Sequence, residues 1–258
     1  MMGLARLGYA VPWLLAALFF IPWVIPDRTF WFCIAIGLPM EASAFYCYMK
    51  ALKVSPLSLT VPFLAFTPGF IILTGWIILG EEISPGGFWG IILIIMGAYF
   101  LNFSKTRYGL LAPLKAIFRE PGSRLMLLVS FIYAFTSTIG KLAIIHSNPY
   151  FFGIIYNIAL AMLLTLFLPA AANAEPVKNL VRRPIIGLIL GALVATTIFS
   201  HMLAISMTNV AYMISLKRTS LLFGVLYGAL WFKEEKIAER LTGAIIMISG
   251  VFLIGWFG

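Results

Sequence analysis

The chain has 258 residues, of which 62% are hydrophobic and 10% charged, and its mean hydropathy is +1.03. Soluble domains carry roughly half apolar and about a quarter charged residues, so this balance excludes a water-soluble fold, and it excludes disorder as well. The net charge of +9 arises from 18 basic and 9 acidic residues.

Nine apolar segments are each long enough to cross a bilayer core of roughly 30 Å. The sequence predicts them near 8–25, 30–50, 56–79, 86–103, 124–145, 150–169, 184–206, 209–232 and 238–257. Runs such as Ile91-Ile92-Leu93-Ile94-Ile95-Met96 lack the period-two alternation of a membrane strand. The expected fold is therefore an all-α, polytopic membrane helix bundle. The first segment reads as a retained helix and not a signal peptide, because Ile21-Pro22-Trp23-Val24-Ile25-Pro26 offers no small-x-small cleavage site. Cys33 and Cys47 stand fourteen residues apart in one segment. That is about 21 Å along a helix, too far for a disulfide between them.

The loops sort by charge. Fourteen of the 18 basic residues fall on one side, from Arg6, Lys50 and Lys53 to Lys233, Lys236 and Arg240. Arg28 alone falls on the other side, and Lys141, Lys217 and Arg218 lie inside segments. Basic loops stay in the cytoplasm, which predicts a cytoplasmic amino terminus in an inner (plasma) membrane. The charge is then an orientation signal beside anionic lipid, with no nucleic-acid partner implied. The connection 104–123 places Leu110, Leu114, Ile117 and Phe118 at helical spacing among four basic residues. It reads as an amphipathic linker on the cytoplasmic surface.

An internal repeat divides the chain. A shift of 153 residues lays Glu41–Phe103 over Val194–Trp256 without a gap, with 12 of 63 positions identical. Glu81-Glu82 falls on Glu234-Glu235, Gly90 on Gly243 and Gly97 on Gly250. The related segments cross in opposite directions, as in the inverted repeats of secondary transporters.

One pattern carries a family resemblance. Ala51-Leu52-Lys53-Val54-Ser55-Pro56 is followed by Leu79-Gly80-Glu81 and then by Gly90 through Gly97. The second copy reads Ala204-Ile205-Ser206-Met207-Thr208-Asn209, then Phe232-Lys233-Glu234, then Gly243 through Gly250. Together they resemble the EamA-type members of the drug/metabolite transporter superfamily. The resemblance implies two five-helix repeats. Here it implies a first repeat of four helices over 1–103, lacking its first helix, the linker 104–123, and a full second repeat over 124–258. It also implies that Glu81 and Glu234 are structural turn residues.

Ionisable groups inside a span cost about 2.5–3.5 kcal/mol on insertion scales and are functional candidates. Five are present: Glu41, Lys141, His201, Lys217 and Arg218. Glu41 follows Gly37 and Pro39, so a helix kink is expected beside a carboxyl group. It reads either as a proton or ammonium site, or as the structural partner of Lys141, Lys217 or Arg218. Lys217 shares a helix face with Ser220, Gly224 and Gly228, and Arg218 shares one with Ala211 and Ser215. Arginine suits bidentate capture of carboxylate or phosphate, whereas one of the two could also snorkel to the surface. His201 reads as a hydrogen-bonded packing residue or a polar lining group, and Lys141 as a vestibule or snorkelling residue. Tyr48, Tyr212 and Trp76 could stack on a solute, although aromatic residues in spans commonly serve packing or the interfacial belt.

These features and the resemblance together point to a gradient-driven transporter of a small metabolite, with export of an anionic or zwitterionic solute as its expected form and Glu41 as either a proton-coupling site or a structural partner. No ATP-binding motif, cofactor motif or metal-ligand spacing is present, and no nucleophile–base arrangement, so an intramembrane enzyme fits less well. A non-transporting partner subunit or receptor is the other alternative.

Overall fold

The computed structural model describes residues 2–55, 60–103, 120–166, 184–223 and 237–258. Among them the chain forms nine α-helices and one 3-10 helix, with no strand. The order is α1 (Met2–Ala17), α2 (Arg28–Val54), η1 (Val61–Phe66), α3 (Thr67–Leu79), α4 (Pro85–Phe103), α5 (Pro121–Ile145), α6 (Pro149–Leu166), α7 (Pro184–Met207), α8 (Val210–Arg218) and α9 (Ile237–Phe257). Each α-helix falls on one of the nine apolar segments. Helices α2, α5, α6 and α7 are long and apolar enough to cross a membrane. Large apolar side chains also face outward, among them Ile77, Leu193 and Phe252 at 65, 60 and 71% exposure. Lipid is the environment in which such a surface is stable. The protein is an integral, multi-pass membrane protein.

Three segments differ in detail from the sequence expectation. Helix α1 ends at Ala17, and residues 18–27 are turn and coil. Pro22 and Pro26 lack the N–H that a continuing helix requires and clash with the turn before them. The segment 56–79 divides into η1 and α3, where Pro62 and Pro68 interrupt the i→i−4 ladder. Helix α8 ends at Arg218, with a turn at Thr219 before helix resumes over 220–223. Glu234 and residues 104–119 of the expected surface linker lie outside the described residues.

The chain divides into two compact units, Met1–Ala42 with Ile139–Met207, and Ser43–Thr138 with Thr208–Gly258. In the first, Ala10, Leu14, Ile154, Ala195 and Ile198 form a buried cluster that joins α1, α6 and α7. The Trp13 indole N–H donates to the Leu188 carbonyl at 3.1 Å. Asp27 starts α2: its carboxylate accepts the Phe30 N–H at 3.0 Å and sits 2.7 Å from His146 Nδ1. The Phe30 hydrogen bond, with His146 as a further cause, holds the Asp27 carboxyl below its ordinary value of 3.8. Asn148 starts α6 in the same way, accepting the Phe151 N–H at 2.7 Å. Both are N-caps, which satisfy donors that a helix start leaves open.

In the second unit, Ala51, Phe63, Met126 and Val129 form the buried cluster between the end of α2, η1 and α5. Hydroxyl groups join these apolar faces. Ser130 Oγ donates to the Phe63 carbonyl at 2.6 Å, and the Thr74 and Thr138 hydroxyls meet at 2.9 Å. Helices α4 and α9 run antiparallel along a seam of glycines. A Cβ at Gly90 would lie 2.8 Å from the Gly250 carbonyl oxygen, and one at Gly97 would lie 2.7 Å from that of Gly243. The sequence repeat relates Gly90 to Gly243 and Gly97 to Gly250. The two contacts are therefore images of each other, as a two-fold relation between repeats requires. Backbone contact of this kind is available only to residues without a side chain.

Two outcomes test this packing. Gly90→Ala and Gly97→Ala should each destabilise the protein by about 1–3 kcal/mol, as overpacking does. Gly255, which has nothing within 4 Å of its Cβ position, should accept alanine without loss; thermal unfolding in detergent checks the contrast. Because the Asp27 carboxyl is held below 3.8, its contribution is present above that value and is lost as pH falls through the lowered one. Asp27→Ala should lower the melting temperature at pH 7, and the gap to wild type should close in strong acid.

Candidate functional site

Arg218 is one of the five ionisable groups that the sequence places inside a span. It ends α8, and the Thr219 N–H closes the turn on the carbonyls of Leu216 and Lys217. Its side chain crosses to the junction of η1 and α3, where Nη2 donates to Thr67 Oγ1 at 3.0 Å. The Thr67 hydroxyl donates in turn to the Leu64 carbonyl at 2.8 Å. The same carbonyl also accepts the Thr67 backbone N–H, which closes η1. Arg218 Nε is buried and has no hydrogen-bond partner among the described residues. The Tyr48 and Tyr133 phenols lie within electrostatic range of the guanidinium. Both pack on the Ala51–Phe63–Met126–Val129 cluster.

The other candidates from the sequence distribute as follows. Lys217 is exposed beside Arg218, consistent with adjacent residues pointing about 100° apart. Ser215 is fully buried and donates to the Ala211 carbonyl at 2.7 Å, so its hydroxyl is used within α8. Tyr212 is buried, and its hydroxyl accepts the Ser84 N–H at 3.1 Å. Glu81 follows Gly80, whose φ of 67° makes the left-handed stop of α3. Its carboxylate accepts the Val210 N–H at 2.9 Å and so caps α8. A negative charge at that position also opposes the positive end of the α8 dipole. Glu41, Lys141 and His201 belong to the first unit and are all half-buried. Tyr156 donates to the Gly37 carbonyl at 3.2 Å, one turn before Glu41 on α2. Cys33 and Cys47 are free thiols.

Around Arg218 the structure adds Thr67, and on the neighbouring apolar cluster it sets Tyr133 with Tyr48; Thr67 and Tyr133 are two residues that the sequence reading missed. Thr67 stands between two prolines in a stretch without charge, and only those prolines, as helix breakers, could have marked it. Tyr133 is one aromatic residue in an apolar helix, and no local signal separates it from packing aromatics. A guanidinium with one donor engaged and another without a partner among the described residues can bind an anionic group by charge-assisted hydrogen bonds.

A solved chain described as "Crystal structure of protein" shares this fold with a TM-score of 0.70, covering 99% of this chain and 88% of its own, at 14% sequence identity. No curated protein matches the sequence. The family resemblance carried by the sequence motifs has a direct counterpart: residues 1–103 match the EamA-like transporter family.

Proposed function

We propose that the protein is a secondary transporter of a small solute bearing a carboxylate or similar anionic group, with Arg218 as the anchor. The observation that carries this reading is the buried Nε of Arg218, which has no acceptor among the described residues. A buried donor left unsatisfied costs about 1–3 kcal/mol, more when charged. A carboxylate satisfies it and engages the planar fork of the guanidinium at the same time. The Tyr48 and Tyr133 phenols lie within electrostatic range of the guanidinium, and exposed Lys217 adds positive potential. The match of residues 1–103 to a transporter family supports transport as the activity. The symmetric glycine seam supports two inverted repeats that rock to give alternating access. In this reading the solute is exported, the amino terminus is cytoplasmic, and Glu41 exchanges the coupling proton. Lys141 and His201 are secondary polar groups of the pathway.

Flux in proteoliposomes under an imposed pH gradient tests both roles. A solute panel should show carboxylates preferred over matched amides and over lipophilic cations. Arg218→Ala should remove that preference, and Arg218→Lys should reduce kcat/KM about tenfold or more, because a point charge does not replace the fork. Glu41→Gln should abolish gradient-driven accumulation while solute exchange across the membrane persists. Preference for quaternary cations, unchanged in Arg218→Ala, would sink the anion assignment.

A further inference from the structure

We propose that the turn joining α3 and α4 binds an organic ammonium group, supplied by a phospholipid headgroup or by a free amine. A cavity of about 480 Å³ opens at this turn, and Trp76, Glu81, Glu82, Phe88 and Trp89 are among its lining residues. The Phe88 and Trp89 rings meet edge to face, 5.8 Å between centroids and at 78°. They form two walls near a right angle. Trp76 and Trp89 are 62 and 61% exposed, so protein does not cover their rings. An ammonium group placed against aromatic faces is held by their quadrupoles, and indole is the strongest of these faces.

The charged residues that line the cavity are Glu81 and Glu82. Residues 67–103, 209–216 and 242–258, which build this corner of the second unit, contain no lysine or arginine. The Glu81 carboxylate is engaged at the start of α8. The backbone of Glu82 is fixed by the Asn209 side-chain amide, which donates to its carbonyl at 2.9 Å, while its side chain is exposed. Glu82 is therefore the carboxylate available to a cation. An anion would meet negative potential here, and a neutral solute would forgo both the carboxylate and the rings. The turn also ends two apolar helices, the depth at which aromatic belts and lipid headgroups lie. A belt aromatic rests against lipid as a single surface, whereas these rings wall a cavity with a carboxylate at its edge. The site is separate from the Arg218 group and does not depend on its role.

The test uses the full chain in nanodiscs of phosphatidylglycerol, titrated calorimetrically with choline and with its neutral isostere 3,3-dimethylbutan-1-ol. A second arm reconstitutes the protein in equal phosphatidylethanolamine and phosphatidylglycerol and measures the lipid retained by native mass spectrometry. Binding of choline but not of the alcohol, weakened about threefold to thirtyfold in Trp89→Ala and Glu82→Gln, supports a free amine as ligand. Retention of phosphatidylethanolamine that both variants lose, without choline binding, supports the lipid headgroup. Glu82 is exposed, so its variant keeps the test valid if Trp89→Ala fails to fold. Equal binding of choline and alcohol, binding unaffected by the variants, or no binding in either arm overturns the proposal.

Discussion

The close approach of α4 and α9 is the constraint on which the second unit depends. Gly90 and Gly97 meet the carbonyl oxygens of Gly250 and Gly243 so closely that no side chain fits between the two backbones. Lipid is as apolar as the helices, so hydrophobic burial does little to hold them together, and dense packing and weak polar contacts must do so instead. Other features of this unit follow the same logic. Short hydroxyl bridges, Ser130 to the Phe63 carbonyl and Thr74 to Thr138, join α5 to η1 and α3. The Ser84–Tyr212 contact ties the turn before α4 to α8. The two hydroxyl bridges keep buried polar groups satisfied away from water.

Polar side chains also compensate for irregular backbone. The chain breaks its helical ladder near Pro62 and Pro68, and Thr67 accepts the Arg218 guanidinium at that break. Irregular backbone inside a membrane is tolerated where it is enclosed by protein or lines a cavity. The η1–α3 junction is such a place, and it lies beside a charged group. In the first unit, Asp27 and Asn148 start two helices from the ends of loops. Tyr156 adds a polar contact within that unit, donating to the Gly37 carbonyl in the middle of α2.

Much of this was legible in the residues, and the limits were physical. The nine apolar segments predicted nine helices because length and hydropathy are local properties. The repeated glycines were visible as spacing, but their meeting across two helices depends on antiparallel pairing that no local pattern encodes. Arg218 stood out because charge in an apolar segment is rare. Its partner Thr67 lies 151 positions away and did not stand out. Glu81 was read as a turn residue at the end of its own helix. Its carboxylate serves the start of α8, 129 positions on, a long-range contact. Helix ends at 17, 66 and 218 were misjudged where proline or a turn cut short a run that remains apolar beyond the break.

The cap on α8 has a mechanical side. The helix is nine residues long, about 13 Å at 1.5 Å per residue. Glu81 pins its first turn, and Arg218 projects from its last. It runs from the α3–α4 turn to the η1–α3 junction, with a charged end at that junction. Its start is held at the α3–α4 turn by Glu81, Asn209 and Tyr212, and its end is held at Thr67, so α8 ties the two ends of α3 together.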